Sequence, residues 1–222
     1  MENTAIRAKN FSGVSRVYVA FLALYLVISA QAYSLNSDTK NAPISKILPP
    51  SAEELEILRR NLRAGDLLFR KGLDADSEAI ALMSGSPYSH AGVVAQISPQ
   101  IFIIHAITGE QNEQNAVVKT SLENFLLNSK YYAVGRLKNL DENGAKIFVA
   151  RLEKELGKPF ILAPKNEANL YCTTLIERSL KGISDLNLTY QKLSLPVFRG
   201  EYLFPEAFWQ GGNLQTIFKS RR

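Results

Sequence analysis

The 222-residue chain is poor in reactive side chains: one cysteine and two histidines. A lone cysteine cannot close a disulfide within the chain, so the fold has to rest on a packed core. His90, His105 and Cys172 are therefore the residues open to nucleophilic or acid–base chemistry near neutral pH. Charge of one sign is also scarce, with 26 Lys and Arg against 21 Asp and Glu, a formal +5. The excess is spread along the chain apart from Lys219, Arg221 and Arg222, which excludes a nucleic-acid stripe and supports at most weak attraction to an anionic envelope surface. No cysteine–histidine spacing makes a compact metal motif. Asp74, Asp76 and Glu78 lack the glycine and closing glutamate of a calcium loop, so neither a metal nor a cofactor is expected. The longest apolar run, Val17 to Ala30, has 14 residues, short of the roughly 20 that cross a bilayer.

That run follows Arg7, Lys9 and Arg16 and ends at Ala30-Gln31-Ala32, the three-part pattern of a secretory signal. Residues 1–32 are read as a signal peptide, 33–50 as a polar, proline-punctuated linker and 51–222 as one catalytic domain, 172 residues long and sufficient for a single core. The protein is expected to be exported, periplasmic or extracellular and monomeric. After cleavage it would have little or no membrane association; an uncleaved signal anchor is the alternative.

Within the domain, Ser51 and Glu54 make a capping box for a helix with Leu55, Leu58 and Leu62 on one face. Gly65-Asp66 turns the chain into a strand at Leu67-Leu68-Phe69, with Asp66 read as a turn residue. A helix over Asp76–Met83 leads to the turn Ser86-Pro87-Tyr88-Ser89. The segments from His90 and around His105 form a hairpin closed at Ser98-Pro99-Gln100. Strands are expected at Ala116–Lys119 and Tyr131–Leu137 with a short helix, Ser121–Leu127, between them. A longer helix from Asp141 carries Ala145, Phe148, Leu152 and Leu156 on one face and stops at Gly157. Gln111–Asn115 reads as a polar loop and Trp209 as a core anchor. Strands flanked by separate helices give an α+β fold, an antiparallel sheet packed against helices.

The three reactive residues fall at telling places. The histidines can face each other across the hairpin, and Cys172 starts a helix that runs to Leu180 before Gly182. A helix N-terminus and a neighbouring imidazolium together lower a thiol pKa from ~8.5 to ~3.5–7.5, which predicts a thiolate at working pH. Against this stand a buried structural thiol, an intermolecular disulfide, and a zinc site of one Cys and two His with an open fourth position.

Gly65-Asp66-Leu67-Leu68-Phe69, Tyr88-Ser89-His90-Ala91-Gly92-Val93, Leu156-Gly157-Lys158-Pro159-Phe160, Tyr171-Cys172-Thr173 and Phe204-Pro205-Glu206-Ala207 come in an order that resembles the permuted papain-like amidases of the YaeF/YiiX type, relatives of the NlpC cell-wall peptidases. The resemblance spans about Leu62 to Gln210. It implies a circularly permuted papain-like (NlpC-type) fold in which the histidine strands precede the cysteine helix. Its nucleophile falls on Cys172, its general base on His90 and its third, orienting residue on His105. Tyr88 or Tyr171 is a weaker candidate for a supporting hydroxyl at the oxyanion. The implied activity is amide or ester hydrolysis on cell-wall peptide or lipid-linked acyl substrates; a catalytically silent envelope-binding domain on the same fold is the alternative. Three positions depart from the pattern: His105 stands where close relatives often carry glutamate, Thr173-Thr174 where they read Ser-Glu, and Phe160-Ile161 where they read Tyr-Asp.

Overall fold

A computed structural model describes residues 49–108 and 115–220; the segment read as a signal peptide and all but the last two residues of the linker lie outside these. The first helix, α1 (Ala52–Asn61), begins as its capping box requires. Ser51 Oγ accepts from the Glu54 N–H at 3.1 Å, and the Glu54 carboxylate accepts from the Ser51 N–H at 3.0 Å. There follow β1 (Leu67–Gly72), α2 (Ala75–Ser84), β2 (His90–Gln96), β3 (Phe102–Ile107), β4 (Ala116–Ser121), α3 (Leu122–Leu126) and β5 (Ser129–Leu137). The chain continues with α4 (Glu142–Glu153), α5 (Cys172–Leu180), β6 (Gln191–Ser194), β7 (Arg199–Tyr202), α6 (Glu206–Gln210) and β8 (Leu214–Lys219). The expected elements through α5 are present, and the antiparallel α+β fold holds. The last three strands have no counterpart in the sequence reading.

Six strands form one antiparallel sheet in the order β4-β3-β2-β1-β5-β8, and β6 pairs with β7 in a separate ribbon. Strand residues alternate between two apolar layers. Leu67, Phe69, Ala91, Val93, Ile104 and Ala106 meet Phe148 and Leu152 of α4 and Leu175, Ile176 and Leu180 of α5. Leu68, Val94, Ile103 and Val134 meet Leu58, Leu62 and the α3 residues Leu122, Phe125 and Leu126. Each fully buried side chain of this kind contributes about 1.5–3 kcal/mol, which fixes the register of β1, β2 and β3 because a one-residue slip exchanges the layers.

Two sequence expectations need correction. The long helix ends at Glu153, not at Gly157, and Leu156 is 38% exposed instead of buried. The chain leaves the helix to cover the open edge of β4: the Gly157 N–H donates to the Val117 carbonyl and the Val117 N–H to the Lys158 carbonyl, both at 2.9 Å. Asp66 is more than a turn residue. It is 1% exposed and accepts from Arg136 Nε and Nη2 at 2.7 and 2.8 Å and from the Arg63 N–H at 2.8 Å, locking the entry of β1 to β5.

Candidate active site

The hairpin brings the two histidines together. His90 opens β2 and His105 lies in β3, where Val93 faces Ile104 and Val94 faces Ile103. Alternation from Ile103 puts His105 on the α3 side, and both imidazoles pack on the Phe125 ring, with centroids 5.7 Å away for His90 and 5.0 Å for His105. His90 Nε2 lies 2.9 Å from His105 Nδ1, and His105 Nε2 lies 2.9 Å from Thr120 Oγ1 on β4. This is a three-member hydrogen-bond chain that reaches beyond the pair foreseen from sequence.

The chain has a polarity. If His105 Nε2–H donates to Thr120, His105 Nδ1 accepts from His90 Nε2–H, and His90 Nδ1 is left with a free lone pair. If the Thr120 hydroxyl donates instead, every link reverses and His90 Nδ1 carries the proton. A hydroxyl serves both states because it donates and accepts. Thr120→Val should therefore leave buried His105 Nε2 unpaired, at a cost of about 1–3 kcal/mol. It should lower kcat about tenfold with KM unchanged, whereas Thr120→Ser should restore both; kcat and KM of the two variants check this.

Cys172 is the first residue of α5. Its helix start is anchored without the sulfur. The Tyr171 N–H donates to Thr174 Oγ1 at 3.0 Å, the Thr173 hydroxyl donates to the Leu203 carbonyl at 2.7 Å, and the Leu203 N–H donates to the Tyr171 hydroxyl at 2.9 Å. Thr173 and Thr174 are buried; of the two threonines that depart from Ser-Glu, Thr173 ties the start of α5 to Leu203 after β7, and Thr174 caps it through Tyr171. Cys172 is half-buried, and the backbone N–H groups of Ala91, the residue after His90, and of Thr173 and Cys172 itself act electrostatically in favour of its charged form.

Electrostatics overturn the expected thiolate. Burial raises the Cys172 thiol above its ordinary value by more than the N–H groups of Ala91, Thr173 and Cys172 and the Thr173 hydroxyl lower it. Burial, the Arg70 guanidinium and His105 hold His90 well below its ordinary range, and burial with Arg70 lowers His105 to about 3. With both imidazoles lowered and the thiol raised, the balance at the site favours a neutral thiol beside neutral imidazoles.

Tyr88 and Tyr171 occupy different settings. Tyr88 is buried, its ring 5.8 Å from Phe69 and 6.1 Å from Trp209, whose own ring is 5.1 Å from Phe69. Burial, then Glu206, raises its phenol. Tyr171 is buried with its hydroxyl taken by Leu203, and burial raises its phenol further. Among the described residues, no group of three or more His, Cys, Asp or Glu is placed to hold a metal. Of the four imidazole nitrogens, two face each other and His105 Nε2 faces Thr120, which leaves His90 Nδ1.

Sequence reasoning missed two site residues. Thr120 is one; its only local feature is its place near the end of a short strand. Arg70 is the other, directly opposite His90 in the β1–β2 pairing, with its guanidinium carbon 5.2 Å from the Phe125 centroid. The hydrophobic pattern of β1 gives no reason to single out a cation there.

A family model described as "permuted papain-like amidase enzyme, YaeF/YiiX, C92 family" matches residues 61–218. The chain belongs to this family. A solved structure described as metalloprotein YiiX from Escherichia coli O157:H7 is similar in fold, with a TM-score of 0.60 at 20% identity over 72% of this chain and 98% of that one. No curated protein matches significantly. The YaeF/YiiX family accounts for the chain order of the site, histidine strands first and cysteine helix last, and the circularly permuted papain-like fold is the one found.

Proposed function

We propose that the protein is a secreted cysteine hydrolase that cleaves amide or ester bonds on cell-envelope peptide or lipid-linked acyl substrates. The observation that carries this reading is the His90–His105–Thr120 chain on the strands, with Cys172 starting the helix that packs on β2. Nε2 of His90 is spent on His105, so Nδ1 is the nitrogen left for the thiol. As Cys172 Sγ attacks the substrate carbonyl carbon, the S–H proton passes to His90 Nδ1 and the carbonyl oxygen becomes an oxyanion near the Cys172 N–H. His90 returns the proton to the leaving amine or alcohol as its bond to the acyl carbon breaks. Water then attacks the thioester carbonyl while passing a proton to His90, the C–S bond breaks, and His90 returns that proton to the Cys172 sulfur as the acid is released. The His105–Thr120 end of the chain fixes the His90 ring in place and admits the polarity that leaves its Nδ1 lone pair free for the thiol proton.

No metal or cofactor takes part in these steps. Among the described residues no helix is long and apolar enough to cross a membrane; export by the 1–32 segment and action as a monomer belong to the proposal. Incubation with wall-derived peptides and with acyl esters, followed by acid quenching and mass spectrometry, should reveal an acyl group on the peptide that contains Cys172. The buried, neutral thiol supports a second reading, a silent binding domain on the same fold. Binding of wall peptide without any adduct, unchanged in Cys172→Ala, would decide for it.

A further inference from the structure

Arg70 is a partly buried cation that lies across the sheet from His90. Among the described residues no carboxylate lies within ion-pair distance of its guanidinium. Its one hydrogen bond runs from Nη1 to the Leu127 carbonyl at a long 3.3 Å, and Nε is buried without a partner. Asp74, the nearest acid to exert a field on it, has both oxygens engaged by Ser77, one by the N–H at 2.7 Å and one by the hydroxyl at 2.9 Å. A partly buried cation is ordinarily paired. Nε is closed off from solvent, so the edge left for a carboxylate is the Nη2 side, where no hydrogen bond to a described residue is formed.

Its position gives that edge a use. Arg70 sits across from His90 in the sheet and shares the Phe125 ring with both histidines. Its field reaches Cys172. We propose that Arg70 is a specificity-determining residue that receives a carboxylate carried by the substrate close to the bond attacked by Cys172. This rests on the hydrolase reading of the same site and narrows it to anionic acyl donors, such as peptides with a free carboxylate next to the scissile amide.

The test compares iodoacetate with iodoacetamide as alkylating agents of the full chain, where Cys172 is the single thiol. The two reagents differ by a carboxylate, and their rate ratio at one pH cancels the fraction of thiolate, so a residue that merely tunes the thiol leaves it unmoved. The ratio should be about tenfold higher in wild type than in Arg70→Gln. Arg70→Lys should fall between, while Arg60→Gln, the same charge change at an exposed site on α1, should match wild type. Equal ratios in wild type and Arg70→Gln overturn the proposal, as does a folded chain that neither reagent labels. If Arg70→Gln does not fold, wild type compared with itself in urea serves instead, and a native ratio no higher than the unfolded one overturns it. A chain that hydrolyses nothing yet keeps the preference refutes the hydrolase reading and leaves the anion site standing.

Discussion

Turnover by Cys172→Ala should fall about 10⁴-fold or more, and by His90→Gln about 10³-fold, with circular dichroism unchanged in both. Retention of the fold is expected because the anchors of α5 use Tyr171, Thr173, Thr174 and Leu203, not the sulfur. The pH dependence follows from the shifts at the site. His90 is held well below its ordinary value, so the neutral base survives as the pH falls through 6.5, and the acid limb of kcat/KM should lie clearly below that point. Cys172 is raised, so alkylation by iodoacetamide should keep climbing past pH 9 without a neutral plateau. Stability has to be followed alongside. A buried histidine with a lowered pKa favours the native state above the unfolded value of about 6.5, and that contribution is lost as the pH falls toward His105's value of about 3. An acid limb at 6.5 with a plateau of alkylation at neutrality would mean a preformed thiolate–imidazolium pair and refute the neutral resting state.

Gly92→Ala is the second substitution with a large expected effect, though the residue performs no chemistry. A Cβ there would stand 2.6 Å from Ile103 Cγ2, 2.8 Å from Phe125 Cε2 and 3.2 Å from His105 Cβ. Removing a strand glycine gains about 0.5–1 kcal/mol, but overpacking a core costs about 1–3 kcal/mol, so the clash wins. The shift falls on the ring that carries His90, His105 and Arg70. A loss of about 1–2 kcal/mol in denaturant unfolding should accompany a drop in kcat of about tenfold or more. Full activity in a destabilised Gly92→Ala would show that the Phe125 platform does not position the histidines.

Most of the architecture was legible because it is written locally. The Ser51–Glu54 capping box, the Ser98-Pro99-Gln100 turn and the start of a helix at Cys172 each depend on a few adjacent residues, and the structure has all three. What escaped depends on distant partners. β8 is a partly exposed edge strand that pairs with β5, and its alternation is too shallow to announce it. Thr120 and His105 are 15 residues apart, joined only by the β3–β4 register. The thiolate failed for a different reason: a helix terminus can be read from sequence, but the burial that outweighs it cannot. Arg70 was invisible in the same way, since a guanidinium in an apolar strand becomes informative only once its missing partner is known.

The Thr173–Leu203 and Tyr171–Leu203 hydrogen bonds bear on when the protein becomes able to act. A ribosome makes the histidine strands first, and more than sixty residues separate His105 from the nucleophile. The Leu203 bonds to the Cys172 helix form only when Leu203 has been made, and β8 closes the sheet edge later still. A partial chain short of Leu203 lacks both of the hydrogen bonds that hold the start of the Cys172 helix to the segment after β7.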